Sequence, residues 1–248
     1  MTAINEKISK FFIFLRPHLL RLLYLAFILS FLLPYTDVRG CMDKKMHLYH
    51  GYDLIFKGYG GILYVLPLCI FALFFILSFR KKNSSTSFRA FGASWKALGA
   101  GFSGLVIWFM PRLQFLFDEV FYRPGYALGL ICTAGVFAEG IIISLKNFNA
   151  LRNGRPTEIP DGYSPALMRY HYGISLFSLL LVPAYFFLMY MDIMFAILIF
   201  LFLSLPFVLS QQIVIEGVRR GERWTRRWAI AVSVLVLAAL ALTVVGFL

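Results

Sequence analysis

Residues 95–146 decide the fold of this chain, and they read WKALGAGFSGLVIWFMPRLQFLFDEVFYRPGYALGLICTAGVFAEGIIISLK. The stretch predicts a hairpin of two apolar helices, separated by a polar and aromatic turn from Pro111 to Pro124. Small residues recur along both arms, many of them at four-residue spacing, which lets two membrane helices approach closely. They are Ala93, Ala97, Gly99, Gly101 and Gly104 on the first arm, and Gly125, Gly129, Ala134, Gly135, Ala138 and Gly140 on the second.

Two charged residues, Lys96 and Glu139, lie inside this apolar hairpin. At 1.5 Å per residue, Lys96 lies about 6 Å from the end of the hairpin where the first helix begins, and Glu139 about 10 Å from the same end. Their similar depth on neighbouring helices allows an ion pair. A second interpretation makes Glu139 an ion or proton site, as intramembrane carboxylates often are. In a third, Lys96 extends to the lipid headgroups and leaves Glu139 protonated.

The composition predicts a polytopic membrane protein with an all-α fold. Apolar residues make up 60% of the 248 and charged residues only 15%, against roughly 25% charged residues in globular chains. Seven apolar runs approach or reach the length needed to cross a bilayer. We expect spans at Leu19–Pro34, Tyr59–Phe79, Gly92–Met110, Tyr126–Leu145, Ile174–Met189, a sixth from the turn at Asp192 to about Val214, and Ala229–Leu248, with six spans as the alternative.

The distribution of positive charge predicts the orientation. With the N-terminus in the cytoplasm, most of the 24 Lys and Arg residues fall in cytoplasmic segments, as the positive-inside rule requires. The C-terminus then lies outside, in a multi-pass protein of the plasma (inner) membrane. Because topology accounts for the net charge of +12, we do not expect a nucleic-acid partner. Residues 1–18 form a cytoplasmic or interfacial amphipathic segment, and residues 19–248 form a single transmembrane domain.

The outer loop at residues 35–58 gathers side chains that could bind a metal ion or a partner. Thiolate, imidazole and carboxylate groups all ligate Zn²⁺ or Cu²⁺, although their spacing here matches no known motif and two lysines lie beside them. The same loop holds Tyr and Met residues, which are enriched in protein interfaces. A polar loop with neither role is the third interpretation. The candidate residues are Cys41, Asp43, His47, His50 and Asp53.

These features favour a non-catalytic function. The chain has no Gly-x-Ser-x-Gly, no His-Glu-x-x-His, no P-loop and no paired histidines within a span, so we expect no enzyme activity and no cofactor. The leading hypothesis is an integral subunit or scaffold of a membrane-protein complex, which contacts lipids and other membrane subunits. The alternative is a small transporter or channel that uses Glu139 as an ion or proton site. A lipid-modifying enzyme is the third hypothesis.

Overall fold

The computed structural model describes residues 18–40, 45–57, 61–79, 86–115, 118–154 and 197–246, and these are mostly helical. The helices in chain order are α1 (His18–Ser30), α2 (Gly51–Phe56), α3 (Val65–Leu77, after a 3₁₀ turn at Gly61–Tyr64), α4 (Thr86–Gln114), α5 (Pro124–Asn153), α6 (Leu205–Arg219, after a π-helical turn at Phe200–Ser204) and α7 (Arg223–Gly246). The strands are β1 (Pro34–Arg39), β2 (Met46–His50) and β3 (Glu119–Tyr122).

Two helices in this part of the chain are long and apolar enough to cross a membrane, by length and composition. They are Pro124–Asn153 and Ile197–Arg219, and they are weak evidence of membrane association. The apolar helices His18–Ser30 and Gly61–Leu77 are shorter than the roughly 20 residues that a span needs. The described residues therefore fit a helical fold but do not support the predicted count of seven spans.

The third and fifth predicted spans are absent from this set of helices, each for a different reason. α4 has 29 residues, but this helix contains Lys96 and several glycines and serines, and these residues lower its mean hydropathy. α4 also continues through Pro111 to Gln114, beyond the predicted end at Met110. The predicted fifth span, residues 174–189, lies outside the described residues, as do residues 1–17 of the predicted amphipathic segment.

The mostly helical structure fits the predicted all-α class, and it also contains a small three-stranded antiparallel sheet in the order β2-β1-β3 that was not predicted. The sheet occupies what the sequence indicated was a polar outer loop, together with the turn of the long hairpin. β1 pairs with β2 on one side and β3 on the other, so that Asp37 lies opposite both Leu48 and Phe121. Strands β1 and β3 are far apart in sequence, and their pairing was therefore not apparent from local patterns.

The chain divides into two compact units, and the first comprises Met1–Lys82 and Gly99–Glu139. Aromatic side chains form the centre of its core. Tyr24, Phe27 and Phe31 recur at three- and four-residue intervals and are buried, because they share one face of α1 and the turn after it. Tyr24 and Phe27 contact Phe71 of α3, and the ring of Phe71 stacks on that of Phe27 with 3.7 Å between the centroids.

The second unit comprises Asn83–Leu98 and Gly140–Leu248. α6 and α7 form a hairpin whose turn contains Gly221 at φ 74°, a backbone conformation that glycine adopts at little cost. Gly217 of α6 packs directly against Thr225 of α7. Next to this hairpin, Phe91 of α4 contacts Trp224 and Trp228 of α7, with ring centroids 5.3 Å and 5.1 Å apart.

Candidate functional site

The sheet of the first unit has one face packed on the protein and one face exposed. Residues directly opposite each other on paired strands point to the same side, and successive residues alternate. Thr36 and Val38 are buried on the packed face, where Tyr49 also stacks on Phe115 beyond the end of α4, with 5.3 Å between ring centroids. The other face carries three large apolar side chains that are substantially exposed: Met46 50%, Leu48 51% and Phe121 44%.

Two ion pairs join β1 to the β3 segment on this exposed face. Arg123, directly after β3, donates through Nε to Asp37 Oδ2 at 2.7 Å and through a second nitrogen to the same oxygen. The Asp37 side chain is only 6% exposed. The hydrogen bond to Asp37 raises the pKa of Arg123 above its ordinary value. Arg39 lies 3.4 Å from Glu119 and also over the ring of Phe121, so the charges on this face are largely paired.

A cavity of about 480 Å³ opens on the same face. Its lining combines the Asp37–Arg123 pair with the apolar side chains of β2 and two prolines. This surface is therefore mostly apolar with one neutralised ion pair, which suits an apolar group better than a charged one. The lining residues are Pro34, Asp37, Met46, Leu48, Arg123 and Pro124.

The end of α4 fixes the segment that follows β2. Gln114 Nε2 donates to the carbonyl oxygens of Leu54 at 2.9 Å and Lys57 at 2.8 Å. Arg112, two residues earlier, donates through Nε to the hydroxyl of Tyr122 at 3.1 Å, and this bond raises the pKa of Arg112. Side chains from one helix end thus hold both β3 and the chain after β2.

The outer-loop candidates for a metal site are brought together only in part. His50 and Asp53 meet at the start of α2. The backbone nitrogen of His50 donates to Asp53 Oδ2 at 3.0 Å, and the ring nitrogen Nδ1 of His50 lies 3.3 Å from the same oxygen. This arrangement caps the helix. His47 lies opposite Val38 in the sheet, whereas Cys41 and Asp43 lie outside the described residues. Within the described ranges, no three His, Cys, Asp or Glu residues form a metal-binding group.

The two charged residues of the long hairpin lie in different units. Lys96 is half-buried on α4 in the second unit, and Glu139 is half-buried on α5 at the end of the first. The carboxylate oxygen Oε2 of Glu139 is buried. The predicted pairing of Lys96 with Glu139 remains a prediction.

The exposed sheet face was missed by the sequence analysis, although a signal was present. The signal was weak: Met46, His47 and Leu48 alternate between apolar and polar, a pattern typical of half-buried strands, but Thr36 and Asp37 are two polar residues in succession. Comparisons with protein-family models, curated proteins and solved structures find no match for this chain. Function is therefore inferred from residue chemistry and geometry alone.

Proposed function

We propose that this chain is a non-catalytic, multi-pass subunit of a plasma-membrane protein complex, and that the exposed face of its sheet contacts a partner chain. The single observation that carries this proposal is the set of exposed apolar side chains Met46, Leu48 and Phe121 on one sheet face. Large apolar side chains grouped on a polar-rimmed surface often mark a protein interaction site. Met and aromatic residues are also enriched in interfaces.

The rigidity of this surface supports the same function. The Arg39–Glu119 and Asp37–Arg123 pairs join β1 to the β3 segment, so Phe121, which lies between Glu119 and Arg123, is held in place before any partner binds. A preorganised surface loses less conformational freedom on binding. β2 is also an edge strand, because β1 is its only strand partner among the described residues, and a free edge can accept an extended segment of another chain.

Membrane insertion is part of this proposal. It is supported by the two long apolar helices Pro124–Asn153 and Ile197–Arg219 and by the concentration of Lys and Arg in alternate loops. In this topology the sheet lies outside the cell, the N-terminus is cytoplasmic, and lipids and other membrane subunits are the partners. Seven spans remain our proposed count.

Purification in mild detergent tests the proposal. The wild-type chain should retain another protein at a fixed stoichiometry. Leu48→Asp should lose it, because a carboxylate in an apolar contact has to be desolvated. The matched control is Phe56→Asp, since Phe56 is 85% exposed on α2 and lies outside the sheet. Loss of the partner from both variants, or its absence from the wild type, would count against an interface on the sheet.

An alternative function, a small transporter or channel, is favoured by one observation. Glu139 has a buried carboxylate oxygen in an apolar helix that is long enough to span a membrane, and such carboxylates often bind ions or protons. Purified chain in liposomes should then conduct protons or cations, and Glu139→Gln should abolish the flux. Flux from the lone chain that depends on Glu139 would replace the scaffold function with this one.

A further inference from the structure

The two faces of α7 differ in burial along the first four turns of the helix. Thr225, Ala229 and Ser233 recur every four residues and are buried, so this face packs within the second unit. On other sides of the helix, Arg223, Arg226 and Arg227 are exposed. They are three and four residues apart and therefore neighbours on the helix surface.

The exposed surface of α7 changes from charged to apolar after Arg227. Ile230, Val234 and Leu237 continue at three- and four-residue intervals, and each is half or more exposed. From Ile230 to Leu237 the helix rises about 10 Å, which fits within the roughly 15 Å that one leaflet contributes to the hydrocarbon core. A cluster of cations thus lies at one end of an apolar stripe on the same helix.

The three arginines are distinct from the two that precede them. Arg219 and Arg220 lie 3.6 Å and 3.9 Å from the carboxylate of Glu216, which is buried. Arg220 also donates to the carbonyl oxygen of Leu151. These two therefore belong to the interior of the second unit.

The beginning of α7 is fixed by neighbouring side chains. Glu222 accepts a hydrogen bond from Ser87 Oγ at 2.5 Å and one from Trp224 Nε1 at 2.6 Å. The first turn of α7 is thereby held to α4, and the arginine side chains start from a positioned backbone.

We infer that this surface of α7 binds one anionic phospholipid, with its phosphate at Arg223, Arg226 and Arg227 and an acyl chain along Ile230, Val234 and Leu237. Guanidinium groups bind phosphate oxygens through paired N–H donors, and basic residues next to a span attract anionic lipids. A water-soluble polyanion would use the arginines but not the apolar stripe. The inference rests on the membrane insertion proposed above.

Electron spin resonance of the full chain in phosphatidylcholine vesicles tests this site. Spin-labelled phosphatidylglycerol and spin-labelled phosphatidylcholine are compared for the fraction immobilised by the protein. The wild type should prefer phosphatidylglycerol several-fold, and Arg223→Gln/Arg226→Gln/Arg227→Gln should reduce the preference to near parity. Glycerol phosphate, the headgroup without its chains, should not compete; full competition by it would mean a phosphate site without a lipid.

The matched control removes three other cations of the second unit, Arg89, Lys146 and Arg152, which are also exposed. Arg89→Gln/Lys146→Gln/Arg152→Gln changes the net charge equally and should keep most of the preference. An equal loss of preference in both variants would overturn the site and indicate diffuse electrostatic attraction instead. A wild type that shows no preference would also overturn the site. Protease protection of the same vesicles separates the two proposals: an inserted chain without preference contradicts only the lipid site, and a chain that fails to insert contradicts both.

Discussion

A β-carbon on Gly140 of α5 would lie 2.9 Å from both the β-carbon and the backbone nitrogen of Ala97 on α4. The two helices therefore meet here without room for a side chain, and the backbone atoms involved cannot move aside cheaply. Gly140→Ala should destabilise the protein by about 1–3 kcal/mol, the usual range for overpacking. Denaturant titration of the purified protein in detergent measures the change.

Gly92 is the control for this prediction. It lies on α4, and a β-carbon there would meet nothing within 4 Å. Gly92→Ala should be neutral or stabilising by up to about 1 kcal/mol, because alanine is the better helix former. A Gly140→Ala protein as stable as the Gly92→Ala protein would show that the helices are not this close.

The Asp37–Arg123 pair should respond unequally to the loss of each member. Asp37 is almost fully buried and Arg123 is half-exposed. Removing the arginine leaves a buried carboxylate without its partner, whereas removing the carboxylate leaves a guanidinium that water can reach. Arg123→Gln should therefore lower the thermal midpoint more than Asp37→Asn does. The opposite order would contradict the burial of Asp37.

The hydrogen bond from Ser87 to Glu222 should be measurable by a double-mutant cycle. Ser87 is buried and donates to a carboxylate at 2.5 Å, and hydrogen bonds to charged groups contribute roughly 1.5–3 kcal/mol. The cycle of Ser87→Ala with Glu222→Ala should give a coupling free energy of about 2 kcal/mol. The exposed Arg39–Glu119 pair is the comparison, with a coupling below about 1 kcal/mol. Equal couplings would mean that the α4–α7 contact is not formed.

The helical part of the fold could be predicted from sequence because it depends on local patterns. Apolar runs predicted the helix that contains Gly140, and the small residues predicted its close approach to the helix that contains Ala97. The sequence predicts a helix end at Met110, but α4 continues through Pro111 to Gln114. Proline removes one backbone donor and favours a kink, and sequence alone does not show whether the surrounding packing keeps the helix intact.

The sheet could not be predicted in the same way, because its strands come from distant segments. Arg39 pairs with Glu119, 80 residues away, and no local pattern indicates such a partner. The hypothesis of a metal site in the outer loop stays a prediction. His50 and Asp53 are ligand types, but here they serve as the cap of α2, a role that depends on backbone geometry.

Photo-cross-linking in intact cells tests most directly whether the sheet contacts a partner. Leu48 is replaced by a photoreactive phenylalanine analogue, and the control is the same replacement at Ile131, which is exposed on α5. Our account predicts one discrete protein adduct from position 48, identifiable by mass, and none of that mass from position 131. An uncross-linked chain from position 48, or the same adduct from both positions, would contradict a partner interface on this sheet.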